Sequence, residues 1–139
     1  MKRPGFAEAV AEIVAKDPRY HAEAYQFVRE GLEFTIKLYS KPTEGAARHV
    51  SGRELLEGLR RFALQEFGPV ARRVLGHWGV NQTEDFGAIV FNMVKHRILG
   101  KTDEDRVEHF ADGYDFNEAF RAPFLPDAEP DPVKPKKEF

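Results

Sequence analysis

The groups in this chain that could move protons or hold a metal are five histidines and 23 carboxylates. The histidines are His21, His49, His77, His96 and His109, and no pair has the HExxH spacing of a helical zinc site. His109 with Glu108 and Asp112 is a partial ligand set whose members diverge in either local structure. Asp103, Glu104 and Asp105 lack the glycine and the later glutamate of a calcium loop. The chain has no cysteine, which excludes disulfides, thiolate zinc sites and cysteine nucleophiles. No Gly-x-Ser-x-Gly elbow and no phosphate loop is present, and Ser51 is better explained as a helix cap than as a nucleophile. His49 or His77 could meet a carboxylate only through the fold. The expectation is a protein with no catalytic residue, no metal and no cofactor.

Two other residue classes could do binding chemistry. Arg53, Arg60, Arg61, Arg72 and Arg73 supply five guanidinium groups in a short stretch, a set that could hold phosphates. The more ordinary outcome is a solvated helix surface. The net charge of −2 provides no global basic field to attract nucleic acid. The second class is aromatic: 12 Phe, four Tyr and one Trp. Trp78, Phe110, Tyr114 and Phe116 are the candidate anchors for a protein partner or a second copy of the chain, since aromatic side chains are enriched at interface anchors. The competing reading places these rings in the core.

These groups sit on or beside the stretch 68–102, which carries two helix signatures joined by a tight turn. Pro69 suits a first helical position. Val70, Val74, Leu75 and Trp78 follow at helical spacing, Gly79 suits the left-handed residue after the helix, and Val80 fills the corner. Thr83 is the expected cap of the next helix, with Glu84 and Asp85 in its first turn. Phe86, Ile89, Val90, Met93, Val94 and Ile98 form its stripe and Gly100 closes it. This order predicts a helix–turn–helix core. A DNA reader would place Glu84, Asp85, Gly87 and Ala88 against the bases, where two carboxylates repel phosphate.

Upstream, Phe6, Val10, Ile13 and Val14 predict a helix ending near Asp17, ahead of Pro18. A longer helix follows over 20–39, burying Ala24, Tyr25, Phe27, Val28, Leu32, Thr35, Ile36 and Tyr39. Gly31 within it either admits a close neighbour or is a tolerated surface glycine. Ser51 and Glu54 form a capping box, with Val50 and Leu55 as its staple, and the helix they start buries Leu55, Leu56, Leu59, Phe62, Ala63 and Phe67. Downstream, either 102–110 forms a short helix or 98–102 and 110–116 pair as a hairpin, the wing of a winged helix. Asp115 and Glu118 cap a final short helix carrying Phe120. Residues 122–139 hold five prolines and no period, and read as a disordered or extended tail with Phe124 and Leu125 docking at its base.

The chain of 139 residues, 42% hydrophobic and 32% charged, fits one mainly α domain over 1–121 followed by that tail. The basic start interrupted by Glu8 and Glu12 is an amphipathic helix and not a signal peptide, and no apolar run approaches a membrane span, so the expected location is cytoplasmic. The leading functional expectation is a non-enzymatic interaction module contacting a protein through its helical scaffold. The alternative is a winged-helix-like nucleic-acid-binding regulator using the arginines.

The segments His49-Val50-Ser51-Gly52, Trp78-Gly79-Val80, Asp85-Phe86-Gly87 and Tyr114-Asp115-Phe116 lie within a region, about 20–120, that resembles a family of small uncharacterised bacterial proteins of the Planctomycetes–Verrucomicrobia group. The resemblance implies a self-contained bacterial protein and supplies no catalytic residue.

Overall fold

Small residues decide how the two longest helices meet. In the computed structural model, which describes residues 5–42, 45, 49–99 and 110–125, α1 spans Phe6–Lys16, α2 Ala22–Leu38 and α3 Gly52–Phe67. The α2–α3 pair is the most extensive helix contact. A Cβ on Gly31 would lie 2.3 Å from Leu59 Cδ2, and one on Gly58 would lie 1.8 Å from Thr35 Oγ1. Gly31 therefore admits a close neighbour. Thr35 is fully buried at this crossing, and its hydroxyl donates to the Gly31 carbonyl at 2.7 Å. α3 starts as its sequence predicts. The Ser51 hydroxyl accepts from the Glu54 N–H at 3.1 Å, the Ser51 N–H donates to the Glu54 carboxylate at 3.0 Å, and Val50 and Leu55 are buried beside them.

After a 3-10 turn at Gly68–Val70 come α4 (Ala71–His77) and α5 (Thr83–Lys95), then α6 (Phe116–Phe120) and a second 3-10 turn at Ala122–Phe124. The described residues are mainly helical and contain no strand. α2, α4 and α5 end in one way. A residue in the left-handed region follows the helix, and the next N–H reaches back five residues: Lys41 to Ile36, Val80 to Leu75, Ile98 to Met93. The left-handed residues are Ser40 (φ 55°), Gly79 (φ 90°) and Arg97 (φ 62°). At Gly79 only glycine fits, since a Cβ there would lie 2.3 Å from the Arg19 carbonyl oxygen.

The core is one aromatic continuum. The Phe27 ring lies 5.2 Å from Phe62, 5.8 Å from Phe67, 5.6 Å from Trp78 and 6.4 Å from Phe86. Phe86 passes the contact on to Phe116 at 5.7 Å, and Phe116 meets Phe120 edge-on at 4.9 Å. A buried polar clamp closes the opposite end. Asn92 donates to Asp17 and to the Tyr25 hydroxyl, both at 3.0 Å, tying α5 to the end of α1 and to α2.

Several expectations change. Pro69 lies within the 3-10 turn that Gly68 opens and not at the start of α4, and Val70 beside it is 44% exposed. Tyr39, just past α2, is exposed as well. α5 stops at Lys95, because Arg97 takes the left-handed position that Gly100 was expected to supply nearby. Gln82 occupies the N-cap position of α5, so Thr83 is freed for another role. Residues 110–116 form a turn and a helix entry, not a strand. Their period-two pattern is broken by Asp112 at φ 51°, and Phe110 and Phe116 are both buried. The rest of the expected wing, and the alternative helix over 102–110 apart from Phe110, lie outside the described residues, as do 126–139 of the expected tail. Phe124 and Leu125 do not dock; they stand exposed.

Candidate functional site

The C-terminal segment is held by two side chains. Thr83, 1% exposed, donates its hydroxyl to the Phe110 carbonyl at 2.5 Å and accepts the Gly113 N–H at 3.0 Å. Tyr114 donates to the Leu56 carbonyl of α3 at 2.7 Å, and burial pushes its hydroxyl up, well above the usual phenol range. Asp115 then caps α6 by accepting the Glu118 N–H at 3.0 Å. The consequence is that α6 lies against α4, α3 and the Gly68–Val70 turn.

Along that contact runs an open groove of about 340 Å3, lined by Pro69, Arg72, Arg73, Asn117 and Arg121. Asn117 lies on α6 and Arg121 is its C-cap residue, one turn on, whose N–H donates to the Asn117 carbonyl at 3.0 Å. The Arg72 guanidinium carbon lies 5.6 Å from the centre of the Phe116 ring, within cation–π range. Its Nε is buried with no hydrogen-bond partner. No carboxylate among the described residues pairs with Arg72, Arg73 or Arg121.

The other sequence-nominated arginines are placed differently. Arg60 meets Glu57 at 2.6 Å and Arg61 meets the same carboxylate at 2.8 Å. The Arg60 hydrogen bond, offset by desolvation and helped by Arg61, holds the Glu57 carboxyl below its ordinary value. Arg53 is exposed in the first turn of α3, outside the groove lining. The five arginines are thus not one patch. Two of them join Arg121 and Asn117, which the sequence reading did not nominate. The Asp115–Glu118 cap signal implied a helix carrying 117 and 121 on one face, but nothing local placed that helix beside α4.

The aromatic anchors are core. Trp78, Phe110 and Phe116 are buried, Tyr114 is partly buried, and their partners are the other rings and the α3 backbone. Their rings pack against Phe27, Phe86 and Phe120, and Tyr114 and Phe116 also line an acidic concavity.

This second concavity, of about 350 Å3, has the opposite character to the arginine groove and is lined by Asn81, Gln82, Glu84, Asp112, Tyr114, Asp115 and Phe116. Its carboxylates have structural duties: Glu84 accepts the Asp112 N–H at 3.2 Å, and Asp115 caps α6. Asp85 accepts from the backbone of Asn81 at 2.8 Å and from the Tyr20 hydroxyl at 2.6 Å, so it ties α5 to the start of α2. α5 packs against α1, α2 and α3. Only Phe91 and Lys95 of its residues are exposed, so it is a core helix and offers no reading face for a DNA groove.

His21 caps α2 by accepting the Glu23 N–H at 3.0 Å, with its ring 6.1 Å from that of His77. His96 contacts its own helix through the Asn92 carbonyl at 3.0 Å, and His109 lies outside the described residues. Among the described residues no group of three or more His, Asp or Glu is placed to hold a metal ion. No described helix is long and apolar enough to cross a membrane. Comparison with family models, curated proteins and solved structures returns no match.

Proposed function

We propose that this chain is a non-enzymatic interaction module that binds an acidic segment of a partner protein in the groove between α4 and α6. The observation that carries the reading is that Arg72, Arg73 and Arg121 line one groove without any carboxylate among them. Guanidinium forks match carboxylates in planar, bidentate geometry. α4 and α5 then serve as a helix–turn–helix scaffold in which α5 is core and α4 contributes the binding residues. The resemblance to the Planctomycetes–Verrucomicrobia family and a cytoplasmic location belong to this proposal and add no residue to it.

Protein is favoured over nucleic acid by what surrounds the groove. A nucleic-acid strand longer than the groove would meet repelling carboxylates nearby, since Asp115, two residues before Asn117 of the groove, lines the acidic concavity with Glu84 and Asp112. A short acidic peptide needs only the three cations. The test is fluorescence anisotropy with a labelled polyglutamate peptide and a labelled DNA duplex, on the wild type and on a variant carrying Arg72→Gln, Arg73→Gln and Arg121→Gln. The peptide should bind and the variant should bind it at least ~100-fold more weakly, as expected for losing three charge-assisted contacts. Tighter binding of the duplex, with a steep salt dependence, would overturn the protein reading in favour of the nucleic-acid one.

A further inference from the structure

The exposed apolar side chains gather beside the same groove. Among the described residues the large apolar side chains left exposed are Tyr39, Val70, Phe91, Phe124 and Leu125. Three of the five flank the arginines. Val70, 44% exposed, follows Pro69 of the groove lining. Phe124 and Leu125, 44% and 51% exposed, follow Arg121, and the Phe124 N–H returns to the Arg121 carbonyl at 3.0 Å. α6 packs against both 3-10 turns, Gly68–Val70 and Ala122–Phe124, so each apolar flank adjoins the helix that lines the groove. The remaining two are elsewhere: Tyr39 follows α2, and the Phe91 ring is covered by the Lys95 ammonium at 5.6 Å.

Isolated exposed apolar residues are ordinary, but apolar residues grouped around an unpaired cationic groove form a mixed surface. A purely anionic ligand would satisfy the guanidinium groups and leave Val70, Phe124 and Leu125 in water. We infer that the groove takes an amphipathic acidic peptide segment, its carboxylates on Arg72, Arg73 and Arg121 and its apolar side chains on Val70, Phe124 and Leu125. This rests on the groove being the binding face, and it names the chemistry of the partner: acidic residues interleaved with Leu or Phe. Charge complementarity selects the peptide, and the apolar flanks distinguish it from other polyanions.

The experiment compares two labelled peptides of equal length and charge, one of glutamate and glycine, the other of glutamate with leucine and phenylalanine in place of glycine. Each is titrated against wild type, against a Val70→Ser, Phe124→Ser, Leu125→Ser variant and against the three-arginine variant above. All six substitutions are of solvent-exposed or groove residues, and thermal melts confirm folding. The amphipathic peptide should bind at least about tenfold more tightly than the glycine peptide, and the serine variant should erase that difference while leaving glycine-peptide binding intact. Equal affinity for both peptides, with binding still lost in the arginine variant, would overturn this inference and leave the functional reading standing. Binding unaffected by the arginine substitutions would overturn both. Concentration-dependent self-association in sedimentation velocity that the serine variant abolishes would assign the apolar flanks to a second copy of the chain, again overturning the inference.

Discussion

Thr83→Val tests whether one hydroxyl assembles the groove. Thr83 is 1% exposed and its oxygen makes two bonds to the segment that leads into α6: donation to the Phe110 carbonyl at 2.5 Å and acceptance from the Gly113 N–H at 3.0 Å. Valine has nearly the same shape, so packing is retained and both bonds are lost. Phe110 is buried, so its carbonyl loses a partner with little access to water, whereas Gly113 is partly exposed and recovers some solvation. An unsatisfied buried group costs about 1–3 kcal/mol, so with one group fully and one partly stranded the substitution should cost about 2–3 kcal/mol. Urea unfolding followed by circular dichroism measures this. Hydrogen exchange should show 110–121 opening more readily than α2 and α3, because the broken bonds lie only at that edge. Peptide binding should weaken in parallel, since Asn117 and Arg121 ride on the released helix. Thr83→Ser keeps the oxygen and should recover most of the loss. A Thr83→Val protein within about 0.5 kcal/mol of wild type would refute the tether.

Three further outcomes follow from the packing. Gly58→Ala should destabilise by up to about 2 kcal/mol, because overpacking at the upper end of the usual range of about 1–3 kcal/mol is expected against Thr35, where the Cβ would sit 1.8 Å from the hydroxyl oxygen, and outweighs the roughly 1 kcal/mol gain in helix propensity. A more stable variant in thermal melts would contradict the close crossing. Gly79→Ala combines φ 90° with a Cβ 2.3 Å from the Arg19 carbonyl oxygen and should cost about 3 kcal/mol, read as a drop in the urea midpoint; a loss under 1 kcal/mol would mean the corner relaxes. Asp17→Asn gives a pH signature. The Arg19 guanidinium, bonded at 2.7 Å, together with Asn92, holds the Asp17 carboxyl well below the usual carboxylate range. A depressed folded-state value means the stabilisation is present above the unfolded value of about 4 and is lost as pH falls below it. Because Arg19 is mostly exposed, wild type should exceed the variant by only about 1 kcal/mol at neutral pH, and the gap should shrink in acid; a gap independent of pH would remove the ion pair as its cause.

The parts of the fold legible in the sequence are those set by local physics. The Ser51–Glu54 capping box, the apolar periodicities of α1, α2 and α3, and the glycine after Trp78 each act within a few residues, and each element is found where the pattern puts it. What failed locally failed for identifiable reasons. Arg97 ended α5 early by taking a left-handed conformation that composition does not advertise. Thr83 looked like a cap because its type and position suit one, yet its hydroxyl serves a segment 27 residues away. The candidate site is less legible, since it exists only where α6 lies against α4. Arg72 and Arg73 were visible as cations, but pairing by Glu57 separates Arg60 and Arg61 from them, and only the tertiary contact adds Arg121. Burial, in turn, distinguishes core aromatics from anchors: Trp78 and Phe116 have the residue type of an anchor and the surroundings of a core.

The most direct measurement is a proton–nitrogen spectrum of the arginine side chains during titration with the amphipathic glutamate peptide. Arg72, Arg73 and Arg121 line the groove with no described carboxylate paired to them, so theirs are the side chains an arriving carboxylate should engage. The account predicts that the Arg72, Arg73 and Arg121 side-chain resonances shift, with that of Arg60, already paired with Glu57, unmoved. A titration that leaves Arg72 in place, or that moves Arg60 and Arg61 instead, would contradict the assignment of the groove as the binding face.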